Sequence, residues 1–306
     1  MTETTVIAPS EERIAQANGI EIAYQTFGDE ADPPMLLIMG LGTQMVGWDE
    51  EFCGLLASHG FYVIRFDNRD VGHSTKLRDA GRPSVAKTIL ASVFWAKVKA
   101  PYLLSDMAKD AAGLIEALGN GAAHIVGVSM GGMIAQQVAI DFPERVRTLT
   151  SIMSSTGYWR LPRATPKAFL NLFRHPGKTK EEFIERAYKL VDAIGGELPQ
   201  DREKTLKRAS QTWDRGIYPA GFLRQMSAIL GSGDRRKTLA KVSAPSLVIH
   251  GDCDPLVKLE HGRDTANHLP GAKFEIVKGM GHGLPPSVWP TLIEAIVDHA
   301  RAANWD

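Results

Sequence analysis

Short apolar runs recur along the chain, with stretches of helical period between most of them. Ile20–Phe27 alternates apolar and polar like a half-buried strand, whereas 34–41 and 61–66 are apolar almost throughout. Unbroken runs of this kind suit strands whose sheet is covered on both faces. Further strands are expected at 124–128, 146–153, Ser246–Gly251 and 274–279. Helical patterns fall at 48–59, at Met130–Asp141, between the last two strands, and at 289–303. Strand and helix therefore alternate through most of the sequence, which predicts a mostly parallel sheet flanked by helices and joined by right-handed crossovers.

Two stretches break the alternation. From 156 to 241 several helical patterns follow one another without a good strand, with charge-dense faces such as Lys180-Glu181-Glu182 and Asp201-Arg202-Glu203-Lys204. This reads as a helical insertion. A shorter stretch, 82–101, carries Val85, Ile89, Leu90, Val93, Phe94, Trp95 and Val98 near helical spacing, which fits either an extra packed helix or an apolar flap over a pocket. The chain of 306 residues exceeds one ordinary α/β domain, and the insertion accounts for the excess.

Composition removes several functional classes. The 35 Lys and Arg balance the 35 Asp and Glu, so no surplus of positive charge is available for a nucleic-acid backbone. Cys53 and Cys253 cannot build a disulfide framework, and neither lies in a Cys-x-x-Cys pair suited to zinc or redox work. The first residues lack the basic start and apolar run of a secretory signal, and no stretch reaches a membrane span, so a cytoplasmic location is expected.

The chemistry centres on Gly127-Val128-Ser129-Met130-Gly131. As a bare pattern this is weak, but here a strand precedes it and a helix follows. In that setting the serine sits on a sharp turn, its hydroxyl at a helix N-terminus, and the flanking glycines let backbones approach closely. A serine hydroxyl needs a base to take its proton and an acid to orient that base. Both candidates follow strand ends: Asp252-Cys253-Asp254-Pro255 after one, Met280-Gly281-His282-Gly283 after the other. The carboxyl ends of parallel strands share one edge of a sheet, so these groups can meet. His282 is preferred among nine histidines because Gly279, Gly281 and Gly283 free its backbone, while His250, His261 and His268 read as packed or solvated. Asp254, out on the loop before a proline, is preferred to Asp252, which can cap its own turn.

Together these segments, with Met39-Gly40-Leu41-Gly42 and Asp67-Asn68-Arg69-Asp70-Val71-Gly72-His73-Ser74, resemble the α/β-hydrolase superfamily over nearly the whole chain, most closely bacterial carboxylesterases and anthracycline methylesterases. The resemblance implies the α/β-hydrolase fold, with residues 1–155 and 242–306 as the catalytic domain and 156–241 as a helical cap. It implies a serine hydrolase of small to medium, largely apolar carboxylic esters, with Ser129, Asp254 and His282 as catalytic triad, the Leu41 and Met130 amides as oxyanion donors, and no metal or organic cofactor. Its partner would be a small-molecule ester.

Other triad chemistries stay open: natural-product methylesterase, carbon–carbon-bond hydrolase, thioesterase, perhydrolase and iminopeptidase, or a non-catalytic ligand binder. Two features depart from the family pattern. Met39 stands where many members carry histidine, and Asp70 stands where glycine is common; Asp67, Arg69 and Asp70 read as loop-fixing charges. Phe94, Trp95, Tyr158, Trp159, Phe169, Phe173, Trp213, Phe222 and Met226 are the candidate pocket residues, most of them expected to be core.

Overall fold

The computed structural model describes residues 6–94, 96 and 98–303. In chain order the elements are β1 (Arg13–Ala17), β2 (Ile20–Phe27), β3 (Pro34–Ile38), α1 (Glu50–Ala57), β4 (Tyr62–Phe66), α2 (Val85–Phe94), α3 (Leu104–Ala117), β5 (Ala123–Val128), α4 (Met130–Asp141) and β6 (Val146–Ile152). There follow α5 (Pro166–Leu172), α6 (Lys180–Ile194), α7 (Arg202–Asp214), α8 (Pro219–Ser232), α9 (Arg236–Leu239), β7 (Ser246–Gly251), α10 (Leu259–His268), β8 (Lys273–Val277) and α11 (Trp289–Ala302).

The strands form one sheet in the order β1-β2-β4-β3-β5-β6-β7-β8. From β4 to β8 all neighbours run parallel, and β2 joins antiparallel to both β1 and β4. The apolar runs are explained by burial on both faces. Leu36, Ile38, Ile64 and Ile125 point to one face, where Leu104, Met107, Ala111 and Leu114 of α3 and Ile134 and Val138 of α4 cover them. Their alternates Met35, Leu37, Val63 and Val126 point to the other, against Phe52 and Leu56 of α1 and Leu292 and Ile296 of α11. Arg65 in β4 is wholly buried, and its guanidinium donates to the Trp48 carbonyl and to Gln25 Oε1.

Three local expectations change. The strand expected over 34–41 ends at Ile38, and Gly42 at φ +65° belongs to a loop that turns onto the elbow serine. β1, with exposed polar positions on an edge, and α3 are additions to the expected set. Residues 156–241 hold α5 to α9 and, among the described residues, no strand of the sheet. The 82–101 stretch contains α2, which combines both expected roles. Ala91 packs against Met226 and Leu230 of α8, Val85 and Val93 line the main cavity, and Leu90 and Phe94 face solvent.

Candidate active site

Ser129 follows β5 directly and is the N-cap of α4, with φ +56° and ψ −121°. A non-glycine residue in this conformation is strained and persists only where its surroundings hold it. They do: the Ser129 amide donates to the Ile152 carbonyl, and its own carbonyl accepts from the Gly132 amide and from Ser154 Oγ at 2.7 Å. At Gly131 a Cβ would stand 2.0 Å from the Ile38 carbonyl oxygen, so close packing of α4 on the end of β3 demands glycine there.

His282 reaches the serine from the loop after β8. Its Nε2 lies 2.9 Å from Ser129 Oγ and its Nδ1 2.6 Å from Asp254 Oδ2. Asp254 is buried, and its other oxygen accepts the Leu256 and Val257 amides, each at 2.8 Å. With Asp254 Oδ2 facing Nδ1 as an acceptor, the arrangement suits the tautomer that carries its proton on Nδ1 and turns the Nε2 lone pair to the serine hydroxyl. Asp252 is exposed and elsewhere employed, accepting the Gly279 amide at 2.6 Å. The His282 amide donates to the Ile194 carbonyl at 2.7 Å, which anchors its loop to the end of α6. A Cβ on Gly281 would come within 2.3 Å of the backbone at Ile194 and Gly195, so this glycine provides close approach, whereas a Cβ on Gly283 would meet only Gln200 Oε1, at an ordinary contact distance of 3.7 Å.

Leu41 and Met130, the nominated amide donors, line one cavity with Ser129 and His282. The loop carrying Leu41 lies against the serine: a Cβ on Gly40 would be 3.2 Å from Ser129 Cβ. No histidine is needed to hold this loop. Asn68 Nδ2 donates to the Met39 carbonyl at 2.9 Å, the Met45 amide donates to Asp67 Oδ1 at 2.7 Å, and the Gly42 amide donates to Gln225 Oε1 at 2.7 Å. Gln225, buried on α8, donates in turn to the Arg69 carbonyl at 2.8 Å. Neither Gln225 nor Gln44, which donates to the carbonyls of Thr212 and Gly216, was foreseen. A signal existed in the adjacent polar pair Arg224-Gln225 within the mostly apolar stretch from Gly221 to Leu230.

The charges after β4 are structural and long-range. Arg69 pairs with Asp110 of α3 at 2.5 Å, Asp67 pairs with Arg215, and Asp70 receives two guanidinium hydrogen bonds from Arg224, both at 2.8 Å. Asp70 has φ +72°, which explains why glycine suits this position. Burial alone would raise its pKa. Arg224, the Leu77 amide and the Tyr102 hydroxyl outweigh burial and hold Asp70 below the usual carboxylate value.

The cavity above Ser129 has a volume of about 990 Å³ and lies between the sheet edge and the helices of the insertion. Of the nominated pocket residues, Phe169, Phe173, Phe222 and Met226 line it. Phe94 is exposed, Tyr158 and Trp159 pack on each other, Trp213 packs on Phe183, and Trp95 lies outside the described residues. Among the described residues no three His, Cys, Asp or Glu side chains group as metal ligands would, and both cysteines are free. No helix is long and apolar enough to cross a membrane, among the residues described.

With this geometry in place, the comparison with known proteins decides the family. The family model described as the alpha/beta hydrolase fold matches residues 33–285. The chain belongs to this family. Two curated relatives are similar over nearly the whole chain: the rhodomycin D methylesterase of Streptomyces peucetius, 30% identical over 95% of this chain and 99% of the relative, and a second rhodomycin D methylesterase from another Streptomyces, with the same identity and coverage. Among solved structures, a meta-cleavage product hydrolase from Pseudomonas fluorescens superposes with a TM-score of 0.73, at 19% identity, covering 95% of this hydrolase and 98% of that chain. At that identity the likeness is one of fold.

Proposed function

We propose that the protein is a serine hydrolase of carboxylic esters acting through an acyl-enzyme. The observation that carries this reading is the unbroken hydrogen-bonded chain Asp254–His282–Ser129, whose hydroxyl end opens at the N-terminus of α4 into a large cavity. In this reading residues 1–155 and 242–306 are the catalytic body and 156–241 the cap. Ser129 attacks the ester carbonyl while His282 Nε2 takes the hydroxyl proton, and Asp254 stabilises the imidazolium. The Leu41 and Met130 amides receive the negative charge that develops on the carbonyl oxygen, aided by the helix dipole. His282 then protonates the leaving alcohol, and a water repeats the sequence at the acyl-enzyme, returning Ser129.

The ester reading is supported over other triad chemistries by the two methylesterases to which the chain is 30% identical. A volume of about 990 Å³ lies at the upper end of ordinary ligand pockets, so the acyl and alcohol parts together can be well beyond a small ester. A panel of p-nitrophenyl esters of increasing acyl length tests the proposal. Hydrolysis is expected for several members, with kcat reduced about 10⁴-fold or more in Ser129→Ala. Wild-type turnover by folded Ser129→Ala, or no hydrolysis of any ester, would overturn it.

A further inference from the structure

The cavity wall is mostly apolar, but one face of α7 brings charge into it. Lys204, Thr205, Arg208, Ala209 and Thr212 line the cavity at helical spacing. The other polar side chains of this face are engaged. Lys204 pairs with Glu51 at 2.8 Å and with Asp49 at 3.5 Å, and the Thr205 and Thr212 hydroxyls donate to the carbonyls of Asp201 and Arg208, one turn back. The Arg208 guanidinium has no hydrogen bond or ion pair with any described residue. Asp49 is the acid that influences it, from beyond ion-pair distance, and Asp49 is already committed to Lys204 and to the Glu51 amide at the start of α1. Burial pushes the Arg208 pKa below the usual arginine value, an effect Asp49 only partly offsets. Arg208 nevertheless keeps some accessible area, and the surface it borders is the cavity.

A guanidinium drawn largely out of bulk water, with no protein acceptor and one side on the cavity, gains most from a ligand that fills its donors. Its planar fork matches a carboxylate in two parallel hydrogen bonds, and one carboxylate balances its single charge. A phosphate dianion would need a second cation close by, and Lys204, the neighbouring cation on this face of α7, is occupied. We propose that Arg208 anchors a free carboxylate on the substrate, so that the ester hydrolysed at Ser129 carries a second, unesterified acid group. This rests on the esterase reading above. The position suits it: Thr212, one turn or about 6 Å along α7, is held through its carbonyl by Gln44, just beyond the loop that carries Leu41. Such a substrate is anionic at one end, in addition to the largely apolar character that the family resemblance implies.

The test is equilibrium binding to Ser129→Ala, which needs no turnover. Monomethyl and dimethyl esters of linear dicarboxylic acids of roughly six to ten carbons, lengths the cavity admits, are titrated at about pH 7, where the free acid is ionised. At the best length the monomethyl ester is expected to bind at least about 10-fold more tightly than the dimethyl ester. In Ser129→Ala/Arg208→Gln this ratio is expected to collapse to within about twofold, and in Ser129→Ala/Arg208→Lys to an intermediate value, because an ammonium cannot present the fork. No preference at any length, or a preference that survives Arg208→Gln in a folded protein, overturns the proposal. The two readings fail separately. Hydrolysis of neutral esters without carboxylate preference in binding removes only the Arg208 anchor, whereas Arg208-dependent binding without hydrolysis of any ester removes only the esterase reading.

Discussion

Replacing Gln225 with leucine removes a link between the helical insertion and the loop against Ser129. The side chain satisfies two backbone groups at once, accepting from Gly42 at 2.7 Å and donating to the Arg69 carbonyl at 2.8 Å. Leucine has similar size but offers neither partner. The Arg69 carbonyl bond is buried, so its loss falls toward the upper part of the about 1–3 kcal/mol range for an unsatisfied group, near 2 kcal/mol. The Gly42 bond is only partly buried, so water from the cavity can replace it and the direct cost falls to about 1 kcal/mol. The sum, about 3 kcal/mol, should appear in denaturant unfolding as a lower midpoint with unchanged slope. The Gly42 share has a second effect, since it frees the loop that places the Leu41 amide. On the proposed mechanism the Leu41 amide is an oxyanion donor, so displacing it is expected to lower kcat about 10-fold or more on the best p-nitrophenyl ester, with KM changing less. Gln225→Glu separates the two effects: it retains an acceptor for Gly42 and loses the donor to Arg69, so stability should fall while kcat stays nearer wild type. A Gln225→Leu protein with kcat within about twofold of wild type would refute the view that α8 positions this loop.

Three further outcomes follow from the same geometry. Arg224→Met strands the Asp70 carboxylate in a site with no solvent exposure and should cost about 3–5 kcal/mol in urea unfolding; adding Asp70→Gly, which removes the charge and relieves φ +72°, should recover most of it, and additive losses would contradict the pairing. Burial pushes His124 down to about 3, so the unfolded chain takes up its proton first as pH drops. Its contribution is complete above about pH 6.5 and declines as pH falls from there toward the folded value. Between pH 7 and 5 His124 should therefore account for about 2 kcal/mol of lost stability, and His124→Gln should show that much less loss in paired urea curves. Gly131→Ala forces a Cβ to within 2.0 Å of the Ile38 carbonyl and should yield little folded protein, whereas normal yield and melting would show that α4 can shift at no cost.

Local periodicity made the frame legible and left long-range polar partners hidden. β2, α4 and β7 were located to the residue because their apolar positions repeat at the strand or helix period against a covered sheet. β1 has no such signature, since its edge position leaves Arg13 and Ile14 to solvent. Ser129, His282 and Asp254 were nominated because each follows a strand end beside a turn-forming residue. Gln225 and Arg224 follow no such rule: they meet Gly42 and Asp70 across 183 and 154 residues, and nothing periodic in the chain registers a contact of that span. Arg208 was equally hidden, because an arginine on a charged helix reads as solvated until the helix is seen to face a cavity.

Intact-protein mass spectrometry after treatment with a serine-directed fluorophosphonate tests the central claim most directly. One adduct per chain, mapped to Ser129, absent in Ser129→Ala and formed far more slowly in His282→Ala, is the expected result. A folded protein that remains unlabelled, or whose adduct maps to another residue, would contradict the assignment of Ser129 as an activated nucleophile.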